Sequence, residues 1–144
     1  MLSAMKDTIF GKIIRREIPA EIVYEDDATL AFLDILPNAP GHTLVVPKEP
    51  SENMLDISDE SFLAVMKTAK KIASAAKTAL EADGFNILVN NGSEAGQQIF
   101  HTRVHIIPRY KSAAFQKFPP GKPTVKVTPE ELKEVADKIR AALS

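Results

Sequence analysis

Cysteine is missing altogether from the 144 residues, which removes disulfides, thiolate metal sites and a cysteine nucleophile at once. An excess of either charge is missing too. Eighteen Lys and Arg against nineteen Asp and Glu leave a formal net charge of -1, so no basic field exists to drive unspecific binding to nucleic acid. The apolar runs fall well short of the roughly eighteen residues a membrane span needs. The opening stretch Met1-Leu2-Ser3-Ala4-Met5-Lys6-Asp7 holds no apolar signal core. The expectation is a cytoplasmic protein whose partners include neither nucleic acid nor membrane. Repeats and low-complexity tracts are absent, and Pro and Gly are scattered as punctuation rather than gathered into a linker. What is present is ordinary for a globular chain: 44% hydrophobic and 26% charged residues, in a length that suits one domain, 1–144, rather than two.

The run Ile9-Phe10-Gly11-Lys12-Ile13-Ile14-Arg15-Arg16 is apolar on one side and predicts a short helix ended by the turn around Pro19. Glu21 to Glu25 and Thr29 to Asp34 are rich in Ile, Val, Tyr, Leu and Phe and flank Asp26-Asp27-Ala28, the pattern of a β-hairpin. Leu36-Pro37-Asn38-Ala39-Pro40-Gly41 is a loop, because its two prolines fix φ and remove donors. It leads into a strand from His42 to Pro47. Between Ser58 and Gly84 the period changes. Phe62, Val65, Met66, Ala69, Ile72, Ala73, Ala76, Ala79 and Leu80 recur at helical spacing, with Ser58 as N-cap and Gly84 as the residue after the helix. That Met and Ala stripe reads as core. Phe85 to Asn90 and Phe100 to Pro108 are two further strands across the loop 91–96. Thr128-Pro129-Glu130-Glu131 has capping-box spacing and opens a last helix to about Leu143. The result is an antiparallel α+β domain: five strands around one long helix, with a short N-terminal and a C-terminal helix.

The three histidines, His42, His101 and His105, all fall in or beside strands. In a strand through 100–108, His101, Arg103 and His105 share one face and Thr102, Val104 and Ile106 the other. For any one of them, the simplest reading is a half-buried histidine with a satisfied hydrogen bond. A metal shared by His101 and His105 is excluded in a strand, where four residues span roughly 13 Å and zinc–nitrogen bonds are about 2 Å. Arg109 and Lys111 read as solvated charges at a strand end, and Tyr110 and Phe115 as residues that pack either a dimer contact or the pocket.

The segment Gly96-Gln97-Gln98-Ile99-Phe100-His101-Thr102-Arg103-Val104-His105-Ile106-Ile107 resembles the histidine triad (HIT) family, whose signature is three histidines at alternate positions followed by two apolar residues. Asp7 to Arg15, Glu17-Ile18-Pro19-Ala20, Glu25-Asp26-Asp27, Ala31-Phe32-Leu33-Asp34-Ile35, Pro37 to His42 and Val89-Asn90-Asn91-Gly92 look like its branch of histidine triad nucleotide-binding proteins. The match covers about 7–110 and leaves a C-terminal extension, 111–144. The resemblance implies a homodimeric HIT-like fold that binds purine mononucleotides such as AMP or GMP. It further implies hydrolysis at the α-phosphate, commonly of nucleoside phosphoramidates, with the middle histidine attacking phosphorus and the others orienting it. Carried over by position, the catalytic set is His42, His101, Arg103 and His105. Phe32, Asp34 and Ile35 match the nucleoside pocket, and Asn90, Gln97 and Gln98 the positions beside the phosphate and leaving group. No cofactor is implied. Some relatives hold zinc on paired cysteines near the start; Thr8 and Gly11 stand in those places, so no metal is expected.

One position departs. Arg103 occupies the nucleophile's place, and a guanidinium, protonated at any ordinary pH, offers donors only. Hydrolysis is therefore expected to be very slow or absent. Affinity for a nucleotide is a separate matter: arginine either pairs with the phosphate through parallel hydrogen bonds or fills the phosphate site itself. Two non-catalytic readings stand beside the disabled hydrolase, a purine-mononucleotide-binding module and a dimeric interaction protein.

Overall fold

A computed structural model describes residues 7–111 and 126–143. Phe115 and the Phe118-Pro119-Pro120-Gly121 stretch lie outside them. In chain order the elements are α1 (Ile9–Ile14), β1 (Ile22–Glu25), β2 (Thr29–Leu33), β3 (Thr43–Pro47), α2 (Asp59–Ala79), β4 (Gly84–Leu88), β5 (Val104–Arg109) and α3 (Pro129–Leu143). The five strands form one antiparallel sheet in the order β1-β2-β3-β5-β4. This is the expected α+β fold, and no described helix is long and apolar enough to cross a membrane.

Strand alternation sorts the side chains into two layers. Ala31, Leu33, Val45, Val104 and Ile106 pack with Val65, Ala69, Ile72, Ala73 and Ala76 of α2 and Ala136 and Ile139 of α3. On the opposite face Leu30, Phe32, Leu44 and Val46 meet Phe10 and Ile13 of α1. β2 and β3 are buried on both faces throughout, which is why their sequences run apolar without alternating. The register aligns Phe32 with Leu44, Leu44 with His105 and His105 with Leu88. His105 thus stands in a row across the α1 face of the sheet.

The helix ends follow local chemistry. Ser58 accepts from the Ser61 amide at 3.1 Å as N-cap of α2. Ahead of α3, the Thr128 amide donates to Glu131 Oε1 and the Glu131 amide to Thr128 Oγ1, at 3.0 and 3.1 Å. This is a reciprocal capping box. The far end of α2 corrects the sequence reading. The helix stops at Ala79, with Glu81 in the left-handed region at φ 53° and the Ala82 amide closing onto the Lys77 carbonyl at 3.1 Å. Gly84 instead begins β4, so a glutamate does what glycine usually does.

β5 is also shorter than expected. It starts at Val104 because the segment before it pairs elsewhere: the Thr102 amide donates to the Ser51 carbonyl at 3.0 Å, and the two buried hydroxyls lie 2.6 Å apart. Arg109 is not simply solvated, since its Nε donates to Asn86 Oδ1 at 2.8 Å. Tyr110 donates to the Pro40 carbonyl at 2.8 Å and ties the strand end to the β2–β3 loop.

Candidate functional site

The β2–β3 loop is closed by the Asp34 amide donating to the His42 carbonyl at 2.9 Å and by the Leu36 amide donating to Asp34 Oδ1 at 2.9 Å. Gly41 makes this closure possible. Its φ is +88°, and a Cβ there would run into Leu80 and press on Pro108. The loop forms one wall of a cavity of about 560 Å³. Asp34, Asn38 and His42 line it from the loop, Asn90 from the end of β4, Gln98 from the loop before β5, and Arg103 and His105 from the approach to β5 and from β5 itself. Six of the ten site residues expected from the sequence, Asp34, His42, Asn90, Gln98, Arg103 and His105, therefore share one cavity.

The other four lie elsewhere. Phe32 is buried beneath, its ring 5.7 Å from that of Phe10. Ile35 is 68% exposed and lines a separate shallow hollow with Pro19, Val127 and Leu132. Gln97 is buried and turned into the scaffold. Its amide nitrogen donates to the Glu52 and Ile99 carbonyls, and its oxygen accepts from the Gly92 amide. His101 is buried on the α1 side, edge-on to Phe10, with Nδ1 2.7 Å from Thr8 Oγ1. Its same-side relation to Arg103 holds through Phe10, over whose ring the guanidinium lies at 5.1 Å. The sequence reading missed Asn38, whose role rests on its backbone amide and leaves no mark on residue type.

The histidine pair in the cavity is wired in series. The Asn38 amide donates to His42 Nδ1 at 3.0 Å, and His42 Nε2 lies 3.0 Å from His105 Nδ1. An amide N–H only donates, so His42 Nδ1 holds a lone pair and the proton of the neutral ring is on Nε2. That proton goes to His105 Nδ1, which places the His105 proton on Nε2. Both rings are neutral at ordinary pH. Burial, then the neighbouring His105 and the cations Arg109 and Arg103, push His42 down to about 3. Burial and then Arg103 push His105 down to about 4. His101 is lowered by burial first, with the Pro47 backbone opposing. Arg103 itself is lowered by burial, with Asp34 pulling the other way. Burial raises Asp34, against the Leu36 amide and Arg103.

Asp34, His42 and His105 are the trio among the described residues whose ligand atoms converge closely enough to consider a metal, all within 4.8 Å. The hydrogen bonding opposes one: His42 Nε2, 3.7 Å from Asp34 and 3.0 Å from His105 Nδ1, carries the ring proton for as long as the Asn38 amide occupies Nδ1. At the position where relatives are expected to carry a cysteine, the Thr8 hydroxyl serves His101 and the Gly11 amide instead.

A family model described as the HIT domain matches residues 15–112. An uncharacterized HIT-like protein of Borreliella burgdorferi is 50% identical over 113 residues, 77% of this chain and 81% of its own. Among solved structures, a Hit-like protein from Bartonella henselae superposes with a TM-score of 0.85 at 44% identity, covering 96% of this chain and all of that one (100%). A hypothetical histidine triad nucleotide-binding protein from Sulfolobus tokodaii gives 0.84 at 37% identity, covering 94% and 91%.

Proposed function

This chain belongs to the HIT family, and on that footing we propose that its cavity binds a purine mononucleotide such as AMP or GMP without the covalent hydrolysis the family fold supports. The ribose hydroxyls are donated to the half-buried Asp34 carboxylate, and the phosphate lies between Arg103, His105, Asn90 and Gln98.

The observation that carries this reading is the state of the nitrogens. Attack on phosphorus requires a lone pair aimed into the cavity. Arg103 has none. His105 Nε2 is protonated by its place in the hydrogen-bond series, His42 Nδ1 is occupied by the Asn38 amide, and His101 is buried against Thr8. Binding machinery is retained while the nucleophile is missing. Calorimetry with AMP and GMP tests the reading: saturable heat lost in Asp34→Ala is expected, and no heat at millimolar ligand would leave only an interaction protein.

Homodimerisation is part of the proposal. β4 is an edge strand whose Phe85 and Ile87 are 43% and 39% exposed, with Leu63 of α2 68% exposed. An apolar edge of this kind favours a partner strand. A sedimentation mass of two chains is expected, and a mass of one chain would overturn this part.

A further inference from the structure

Asn91 is the one asparagine of the chain that a glycine follows, and it has no part in the cavity chemistry above. Such a pair is open to reaction, because a glycine nitrogen with no side chain beside it can attack the neighbouring Cγ. The fold nevertheless needs both residues. Gly92 sits at φ 93° and ψ 154°, a region of backbone space left essentially to glycine. A Cβ there would meet nothing within 4 Å, so the backbone angle and not crowding makes the demand. Asn91 Oδ1 accepts from the Met54 amide at 2.8 Å and so ties the loop 51–57 to the end of β4. Both residues are half-buried, within reach of water.

Each reacting group is held by a bond that the reaction must break. The Gly92 N–H donates to Gln97 Oε1 at 2.8 Å. Gln97 is buried and fixed in turn, its amide nitrogen donating to the Glu52 carbonyl at 2.6 Å and the Ile99 carbonyl at 3.1 Å. The Asn91 side chain is anchored at both ends, Oδ1 on the Met54 amide and Nδ2 3.5 Å from the Val89 carbonyl. We infer that Asn91 is a deamidation site that Gln97 and Met54 keep latched, and that it reacts when the loop 91–97 opens. In that step the Gly92 nitrogen loses its proton to base and bonds to Asn91 Cγ. Nδ2 leaves as ammonia with the proton that Gly92 gave up, and a five-membered imide remains. Water then opens the imide at either carbonyl, giving aspartate or β-linked isoaspartate. Aspartate keeps an oxygen for the Met54 amide. Isoaspartate lengthens the main chain by one carbon between Asn90 and Gly92, so the Gly92 amide no longer meets Gln97 in register. Asn90 lines the cavity, and one opening of the loop thus leaves a permanent mark beside it.

No nucleotide enters the test, so this inference stands or falls apart from the proposed function. The full chain is held in mildly alkaline buffer, either native or unfolded in guanidinium. Peptide mapping by mass spectrometry follows the conversion of amide to acid at each asparagine, with aspartate and isoaspartate separated by chromatography. In the unfolded chain Asn91 is expected to react ahead of every other asparagine. In the native chain it is expected to react about thirtyfold more slowly, the effect of two hydrogen bonds. Native Gln97→Ala is expected to recover about fivefold of this, the share of one bond. Amide hydrogen exchange in the parent reads the latch directly, whether or not that variant folds, and the Gly92 N–H is expected to be protected. Equal rates in native and unfolded chains, or an unprotected Gly92 amide, overturn the inference. A native chain that reacts faster than the unfolded one does so too, since the Met54 amide would then activate the Asn91 carbonyl instead of holding it. So does an unchanged rate in a folded Gln97→Ala.

Discussion

Thr8 and His101 lie 93 positions apart, and a 2.7 Å hydrogen bond joins the Thr8 hydroxyl to Nδ1 of the imidazole. The same oxygen accepts from the Gly11 amide at 3.2 Å as N-cap of α1. One side chain therefore starts a six-residue helix and pins it to the segment that delivers Arg103. So short a helix has little stability of its own, and its place depends on this bond and on Phe10.

Replacing Thr8 by Val removes both the cap and the partner of a buried histidine. A loss of about 1–3 kcal/mol in urea unfolding is expected, with Thr8→Ser close to the parent. Equal stability of Thr8→Val and the parent would show that the bond carries nothing.

Arg103→His restores an imidazole where the family route needs its nucleophile. Hydrolysis of an adenosine phosphoramidate is expected to be near background in the parent and to rise by several orders of magnitude in the variant, since losing a nucleophile can cost roughly a million-fold. Comparable turnover in the two chains would reject the assignment of Arg103 as the disabling residue.

Stability falls with acid in a window set by the histidines. Burial pushes His42 and His105 down to about 3 and about 4 in the fold, from an ordinary value of about 6.5. Between about 6.5 and 4 the unfolded chain binds protons that the folded chain refuses, so stability is full above that window and is lost as the pH drops through it. Each such group contributes a slope of up to about 1.4 kcal/mol per pH unit. Asp34, raised in the fold, acts in the opposite sense at the acid end. Unfolding midpoints measured from pH 7 to 4 are expected to decline, and to decline less in His42→Gln.

Glu81 sits at φ 53° immediately after the C-cap Leu80. A side chain there costs about 1–2 kcal/mol that glycine avoids. Glu81→Gly is expected to raise the thermal midpoint of unfolding, whereas Gly84→Ala, with nothing within 4 Å of the added carbon, leaves it almost unchanged.

The amphipathic stripe of α2, the hairpin around Asp26 and the capping box at Thr128 were all legible in the sequence, because each is decided by chemistry within a few residues. The end of α2 was not. Gly84 looked like the stop signal, yet the chain turned at Glu81, where the Ala82 amide could reach the Lys77 carbonyl. The start of β5 was misplaced for a similar reason. Phe100 to Arg103 has strand composition, but Ser51, 51 positions away, takes the hydrogen bond of Thr102. Gln97 shows the same limit at the site: it is a polar residue beside the expected phosphate position, and its amide is consumed in holding loops together.

Residue type alone determined that a guanidinium stands where an attacking nitrogen belongs, since no folding gives arginine a lone pair. It also determined the layered α+β architecture, through the spacing of apolar residues. Which nitrogen of each imidazole carries its proton was decided only in three dimensions. The Asn38 amide, which any residue but proline would supply, meets His42 because a loop closes on Gly41, and that contact propagates to His105 across two strands. Tautomer state is a property of neighbours, and the neighbours here come from segments that nothing in their order along the chain would bring together.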